Sequence, residues 1–332
     1  MGSTPSTCAR ALSPLTLARA SATLLPHRIG DLVLFGMGGA FASSAASYPP
    51  GAQVHWWELN ENGAITRLFE WPILGRVLQS PDGSRVVYRA ADPQSGQPAL
   101  FVRDRAGAER MLAEGVWSPR SWLDDDHLLM TADDAPGPVW SLDVASGAHP
   151  LVFDPPEPPA AGEYFDDEWF LLSGDAKWSV FLRDNDDETI IETELYDVAT
   201  GSFVSAPMPL ADVSLSPRGD VMAWVEGTSL RAMHLCDRRA VTLVGLGSFA
   251  PPYVGGIHWS PDGRFLTLAS GVTDDVGGPR AVLVADLERE RVAVLNKPWG
   301  FISAWSPDAQ YVVLSRGALH EDDARLARLA FQ

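Results

Sequence analysis

The residues of this 332-residue chain that could do chemistry are its carboxylates, its seven histidines and its serines. Acids cluster at Asp124–Asp126 beside His127, and at Asp166–Glu168, Asp184–Glu188, Asp274–Asp275 and Glu321–Asp323. Groups of this kind build oxygen-ligated metal sites. Asp184-Asn-Asp186-Asp-Glu188 opens like a calcium loop, but Thr189 stands where glycine is required and Leu195 where the closing glutamate is required. The histidines at 27, 55, 127, 149, 234, 258 and 320 form no HxH or HxxxH pair. We therefore read the acids as solvated loop residues and expect neither metal nor cofactor. His258 falls on an expected inner strand, where it either faces a central channel or pairs with backbone. A serine hydrolase needs a G-x-S-x-G elbow. None occurs, and Gly227-Thr-Ser229 lacks the second glycine. The expectation is a non-enzymatic protein.

Composition narrows the partners. With 43 acidic against 25 basic residues the net charge is −18, which repels nucleic-acid phosphates and anionic lipid surfaces. Apolar content of 46% with 9% aromatics is that of a globular chain. No run approaches the roughly 18 apolar residues of a spanning helix, so no membrane insertion is expected. The two cysteines, Cys8 and Cys236, show no CxxC or disulfide spacing. Cys236 sits in an apolar-alternating run and reads as a buried free thiol.

The elements that must position any site are strands. Ile257–Ser270 reads IHWSPDGRFLTLAS, two alternating runs joined by Ser260-Pro261-Asp262-Gly263. Proline presets φ, the aspartate accepts backbone N–H groups and glycine accepts φ > 0. The pattern recurs with Ser80-Pro81-Asp82-Gly83, with Ser216-Pro217 and with Ser306-Pro307-Asp308. A worn copy starts at Trp117-Ser118-Pro119, and a fourth unit is expected to keep only Phe165-Asp-Asp-Glu168 in this place. A period of about 40–50 residues with four short strands per unit predicts an all-β, single β-propeller of four-stranded antiparallel blades. Seven blades is the first reading and six the alternative.

The turn, the alternating strand after it and a following strand that ends in Asp (Val282–Asp286, Leu100–Asp104) resemble the TolB-like propeller repeat, a relative of the WD repeat. The resemblance covers about residues 30–330. It implies the fold and a binding or scaffold role, with the propeller of prolyl oligopeptidases and channel-mouth hydrolases or lyases as alternatives. It also favours a periplasmic or secreted location over a cytoplasmic one.

Residues 1–26 read as leader, linker or edge strand, and 27–332 as the propeller domain. Leu32–Ala46 has the character of a signal segment, but Asp31–Met37 reads better as a strand. The last unit lacks an outer strand, which residues 15–25 could supply. Trp117, Trp259 and Trp305 hold one repeat position and read as packing between blades. Trp71, Tyr164, Tyr253 and Trp299 fall in connections leading into inner strands, so they are expected to ring one mouth of the channel. Aromatics there suit a peptide or carbohydrate partner, and another protein or peptide is the partner expected. The chain is expected to be a monomer.

Overall fold

The computed structural model describes residues 12–17, 20–29, 33–35, 53–59, 65–72, 77–104, 106–132, 137–156, 170–184, 191–204, 208–209, 211–246, 253–271, 281–296, 301–305, 309, 311–315 and 324–331. Among these the structure is all β, and the strands fall into seven sheets. The second to sixth sheets are antiparallel meanders taken in chain order. Their strands begin with Val77–Gln79, Trp117–Trp122, Phe170–Leu172, Ala211–Leu215 and Tyr253–Trp259.

Packing explains why the second strands carry continuous apolar runs. Val221-Met222-Ala223-Trp224-Val225 is buried at every position. Val221, Ala223 and Val225 cluster with Ile257, Leu266, Leu268 and Leu283 of the sixth sheet. Met222 and Trp224, on the opposite face, cluster with Val180 and Leu195 of the fourth. The third sheet divides the same way, with Leu128 and Met130 toward Val87 and Leu100 of the second sheet. Leu129 and Phe153 turn instead toward Phe181 and Tyr196 of the fourth. Each such sheet is sandwiched between its neighbours, as propeller blades are, and no blade buries both faces alone. Each fully buried large side chain contributes roughly 1.5–3 kcal/mol. Outer strands are less covered, and Glu109–Glu114 is exposed or half-buried throughout.

The repeat turn has one construction. Ser80 Oγ accepts the Arg85 N–H at 3.0 Å and donates to Asp82 Oδ1 at 2.6 Å, and Gly83 has φ +69°. Ser260 repeats this with Phe265 N–H at 2.8 Å and Asp262 at 2.5 Å. Ser216 accepts from Val221, but its carboxylate partner is Asp220, because Arg218 occupies the usual aspartate position.

Two expected turns are corrected. In the fourth sheet the turn is Ser173-Gly174-Asp175-Ala176, not Phe165–Glu168, and residues 157–169 lie outside those described. Ser173 accepts from Trp178 N and donates to Asp175 at 2.7 Å, with Ala176 at φ +55°. In the third sheet Trp117–Trp122 is one strand, so Ser118-Pro119 is not a turn. Proline offers no ladder N–H, and the register slips between Pro119 and Ser121. The turn begins at Leu123, whose N–H bonds His127 O at 2.9 Å. Turn starts then fall at 80, 123, 173, 216 and 260, steps of 43, 50, 43 and 44. Trp122, not Trp117, shares the position of Trp259 and Trp305. Trp122 packs between the second and third sheets, Trp259 between the fifth and sixth, and Trp305 stacks on Phe265 at 5.3 Å.

The ends of the chain meet. The seventh sheet holds Phe301–Trp305, Tyr311–Ser315 and Ala324–Phe331, and Ala20–Ile29 supplies its outer strand, antiparallel to Ala324–Phe331. The first sheet departs from the expected antiparallel form. Val33–Phe35 runs parallel to Gln53–Leu59, which pairs with Ile65–Pro72. Cys236 is not a buried free thiol. It is exposed and disulfide-bonded, in the turn after Ser229–His234. Burial of its run ends at Leu235, so the alternation that suggested a buried cysteine stops one residue earlier.

Candidate functional site

An antiparallel meander sends its first-to-second and third-to-fourth turns to one end and its second-to-third turns and inter-sheet connections to the other. The first end, the Ser–Asp end, is compact and internally satisfied. Asp143 Oδ1 accepts the N–H groups of Ala145 and Ser146, and Asp197 Oδ1 those of Ala199 and Thr200. Hydrogen bonds from the Ser146 and Ala145 N–H groups hold the Asp143 carboxyl below its ordinary value. At Asp82 burial pushes upward, but hydrogen bonds from Ser80 and Ser84 and the charge of Arg85 outweigh it, and the net shift is downward. This is the reason the third strands of the second, third, fourth and sixth sheets end in Asp: the carboxylate folds the following turn.

The same end joins sheet to sheet. Asp82 N–H donates to Asp125 Oδ1 at 2.9 Å, and Arg85 Nη1 reaches Asp126 Oδ1 at 2.9 Å. Asp124 accepts from the N–H groups of Asp126 and His127 and meets His127 Nδ1 at 2.9 Å. The acidic cluster of the third sheet is thus a lock against the second. A Cβ on Gly174 would stand 2.0 Å from Pro217 O, and one on Gly219 would stand 2.3 Å from Asp175 Oδ1, so the fourth and fifth turns touch backbone to backbone. In the sixth sheet Arg264 donates to both oxygens of Asp286, at 3.0 and 2.6 Å. Asp286 is fully buried, and its hydrogen bond raises the Arg264 guanidinium above its ordinary value. Among the described residues, no three His, Cys, Asp or Glu side chains are grouped to hold a metal ion.

His258 lies on the first strand of the sixth sheet, and its carbonyl accepts from Thr267 Oγ1 at 3.1 Å. Burial pushes its imidazole below the ordinary histidine value. Arg120, at the slip in the first strand of the third sheet, donates from Nε to Thr131 Oγ1 at 3.1 Å. The sequence signal for it was the proline beside it.

The other end carries the variable connections. Between second and third strands they run over 92–97, 133–138, 185–190, 227–228, 272–280 and 316–323, and between the third and fourth sheets over 154–169. Of the four aromatics expected there, Trp71 is the penultimate residue of Ile65–Pro72, paired with Val54, and Tyr253 opens Tyr253–Trp259, paired with Gly271. Tyr164 and Trp299 lie outside the described residues, as do Ser306–Asp308 and the acids at 166–168, 274–275 and 321–323.

No family model matches the sequence, and no curated protein matches it. Solved structures do. An oligogalacturonate lyase in complex with manganese is 15% identical with a TM-score of 0.48, over 76% of this chain and 88% of that one. A protein assigned as TolB from Agrobacterium tumefaciens is 14% identical with a TM-score of 0.45, over 81% and 94%. A protein assigned as a 6-phosphogluconolactonase from Bacteroides uniformis is 14% identical with a TM-score of 0.47, over 89% and 98%. The chain is an all-β propeller, and the TolB-like resemblance of its repeat stands. The expectation of a non-enzymatic protein is corrected: structures similar to this chain include enzymes, and a missing hydrolase elbow does not make a propeller non-catalytic.

Proposed function

We propose that this propeller binds a protein or peptide partner at the end opposite its Ser–Asp turns. One observation carries the reading: the two ends are built differently. At the Ser–Asp end, connections are short and their carboxylates are engaged by neighbouring backbone N–H groups. At the other end, connections run from the two residues 227–228 to the stretch 154–169. Loops of unequal length on a rigid scaffold are where recognition resides. Those connections, or the strand ends beside them, contain Trp71, Tyr164, Tyr253 and Trp299. They also contain Asp133–Asp134, Asp166–Glu168, Asp186–Glu188, Asp274–Asp275 and Glu321–Asp323. Aromatic faces beside carboxylates suit a peptide rich in Lys and Arg, through cation–π contact and charge complementarity.

Peptide and oligosaccharide arrays probed with the full chain test this. The expected result is binding of cationic peptides that weakens at least tenfold in Trp71→Ala/Trp299→Ala and weakens with salt, while Asp143→Asn leaves it unchanged. Each bound compound is also followed by mass spectrometry for a cleaved product. Binding of no peptide, binding of oligosaccharides alone, or peptide binding indifferent to both tryptophans overturns the reading.

A further inference from the structure

One position of the third strand is aliphatic and buried in the second, third, fifth and sixth sheets, as Leu100, Val139, Leu230 and Val282. In the fourth sheet Thr193 stands there, fully buried. Side chains two apart on a strand share a face, so Thr193 lies on the face of Leu195, which packs against Met222, Trp224 and Met233 of the fifth sheet. Arg231 is opposite Trp224 and two residues from Met233, so both face back toward the fourth sheet. Val198 N–H bonds Lys177 O and Leu235 N–H bonds Asp220 O. These two residues are therefore equivalent, and Thr193 stands level with Leu230, the neighbour of Arg231. Where the fifth sheet has Trp224 and Arg231, the second has Tyr88 and Phe101 and the sixth has Leu268 and Leu283. Thr193 Oγ1, Trp224 Nε1 and Arg231 Nε are buried and have no hydrogen-bond partner among the described residues. Two facing sheets thus place orphaned polar atoms at one level of one cleft.

We propose that this cleft binds a primary carboxamide, carried by an Asn or Gln side chain or by a small free amide. The indole N–H and the guanidinium Nε–H only donate, so the ligand must present an acceptor. The charge of Arg231 is already met: its Nη1 pairs with Glu226, and its Cζ stands 5.6 Å from the centroid of the Trp224 ring. A carboxylate would bring a second negative charge beside Glu226. A carboxamide is neutral. Its carbonyl oxygen has two lone pairs, for Trp224 and Arg231, and its amino group donates to Thr193 Oγ1. Binding thus relieves the cost of three buried unsatisfied groups. The way in runs past Arg231, whose side chain is 29% exposed.

Nitrogen-15 NMR of the tryptophan indoles in the full chain reads the site, with Trp224→Phe identifying the Trp224 signal. Acetamide is expected to shift that signal saturably, and sodium acetate at equal concentration is expected not to. Thr193→Val restores the aliphatic residue of the repeat. It is expected to keep the melting temperature and to weaken acetamide binding about fivefold, the worth of one hydrogen bond. A packing role alone would not give that split. If Thr193→Val fails to fold, the two titrations of the unaltered chain decide alone. A capped glutamine titrated in parallel gives the source: binding tighter than acetamide assigns a peptide side chain, and binding no tighter assigns a small amide. An unmoved Trp224 signal leaves the orphaned atoms to ordered water and overturns the proposal. An equal response to acetate, or acetamide binding that Thr193→Val leaves unchanged, overturns it as well.

Discussion

Ser173 Oγ donates to Asp175 Oδ1 at 2.7 Å, in a turn where glycine replaces proline and alanine replaces glycine. The serine–carboxylate bond and the serine's acceptance of the N–H five residues on therefore define this repeat better than its Pro and Gly do. Serine is fully buried at 80, 173 and 260, so its hydroxyl has no water to fall back on.

Ser260→Ala removes the acceptor of the Phe265 N–H and the donor to Asp262 together. Stability is expected to fall by about 2 kcal/mol, the cost of leaving buried polar groups unsatisfied. Urea denaturation followed by circular dichroism checks this, and Ser260→Thr should recover part of the loss.

Gly174 and Ala176 predict opposite signs in one turn. Gly174→Ala puts a Cβ 2.0 Å from Pro217 O, and the shift it forces is expected to cost about 1–3 kcal/mol. Ala176 holds φ +55°. Ala176→Gly relieves that conformation against a smaller loss of chain entropy, for a gain of about 0.5 kcal/mol. Paired urea curves separate the two.

The propeller was legible because copies of one turn at Ser80, Ser216, Ser260 and Ser306 fall 44 or 46 residues apart, or, from Ser80 to Ser216, about three such steps apart. What the sequence hid has local causes. The third sheet offers Trp-Ser-Pro inside a strand, while its real turn begins at Leu123 and is one residue shorter. The fourth keeps only Ser and Asp of the four-residue signature. That Cys236 is disulfide-bonded was illegible because the cysteines of the sequence share no spacing rule. The parallel pairing of Val33–Phe35 leaves no mark in an apolar run. The engaged acids of Asp124–Asp126 look the same in sequence as solvated ones, since only the fold brings Asp82 and Arg85 to them. The rim aromatics were read from connection order alone, and that order is also what supports them now.

Arg264→Ala strands the buried Asp286 carboxylate without its two-pronged partner. The expected loss is about 3 kcal/mol, and it also strips the guanidinium from the face of Phe265, 4.6 Å away. The double variant Arg264→Met/Asp286→Leu should recover much of this, because no buried charge remains.

Acid sensitivity should come in two stages. Burial lowers the His258 pKa in the folded chain, so the unfolded chain binds the extra proton first and stability falls as pH drops below about 6.5. His258→Gln should abolish that stage. Asp82, Asp124 and Asp143 have lowered folded pKa values. Their contribution is whole above about pH 4 and is lost as pH falls through the folded values. Melting temperature against pH for both proteins reads each stage.

Recognition at the end opposite the Ser–Asp turns can be read from a hydrogen–deuterium exchange footprint of the full chain with its tightest array peptide. Slowed exchange is expected in 73–76, 272–280 and 297–300 and none at 80–84 or 260–264. Protection centred on those Ser–Asp turns would contradict it.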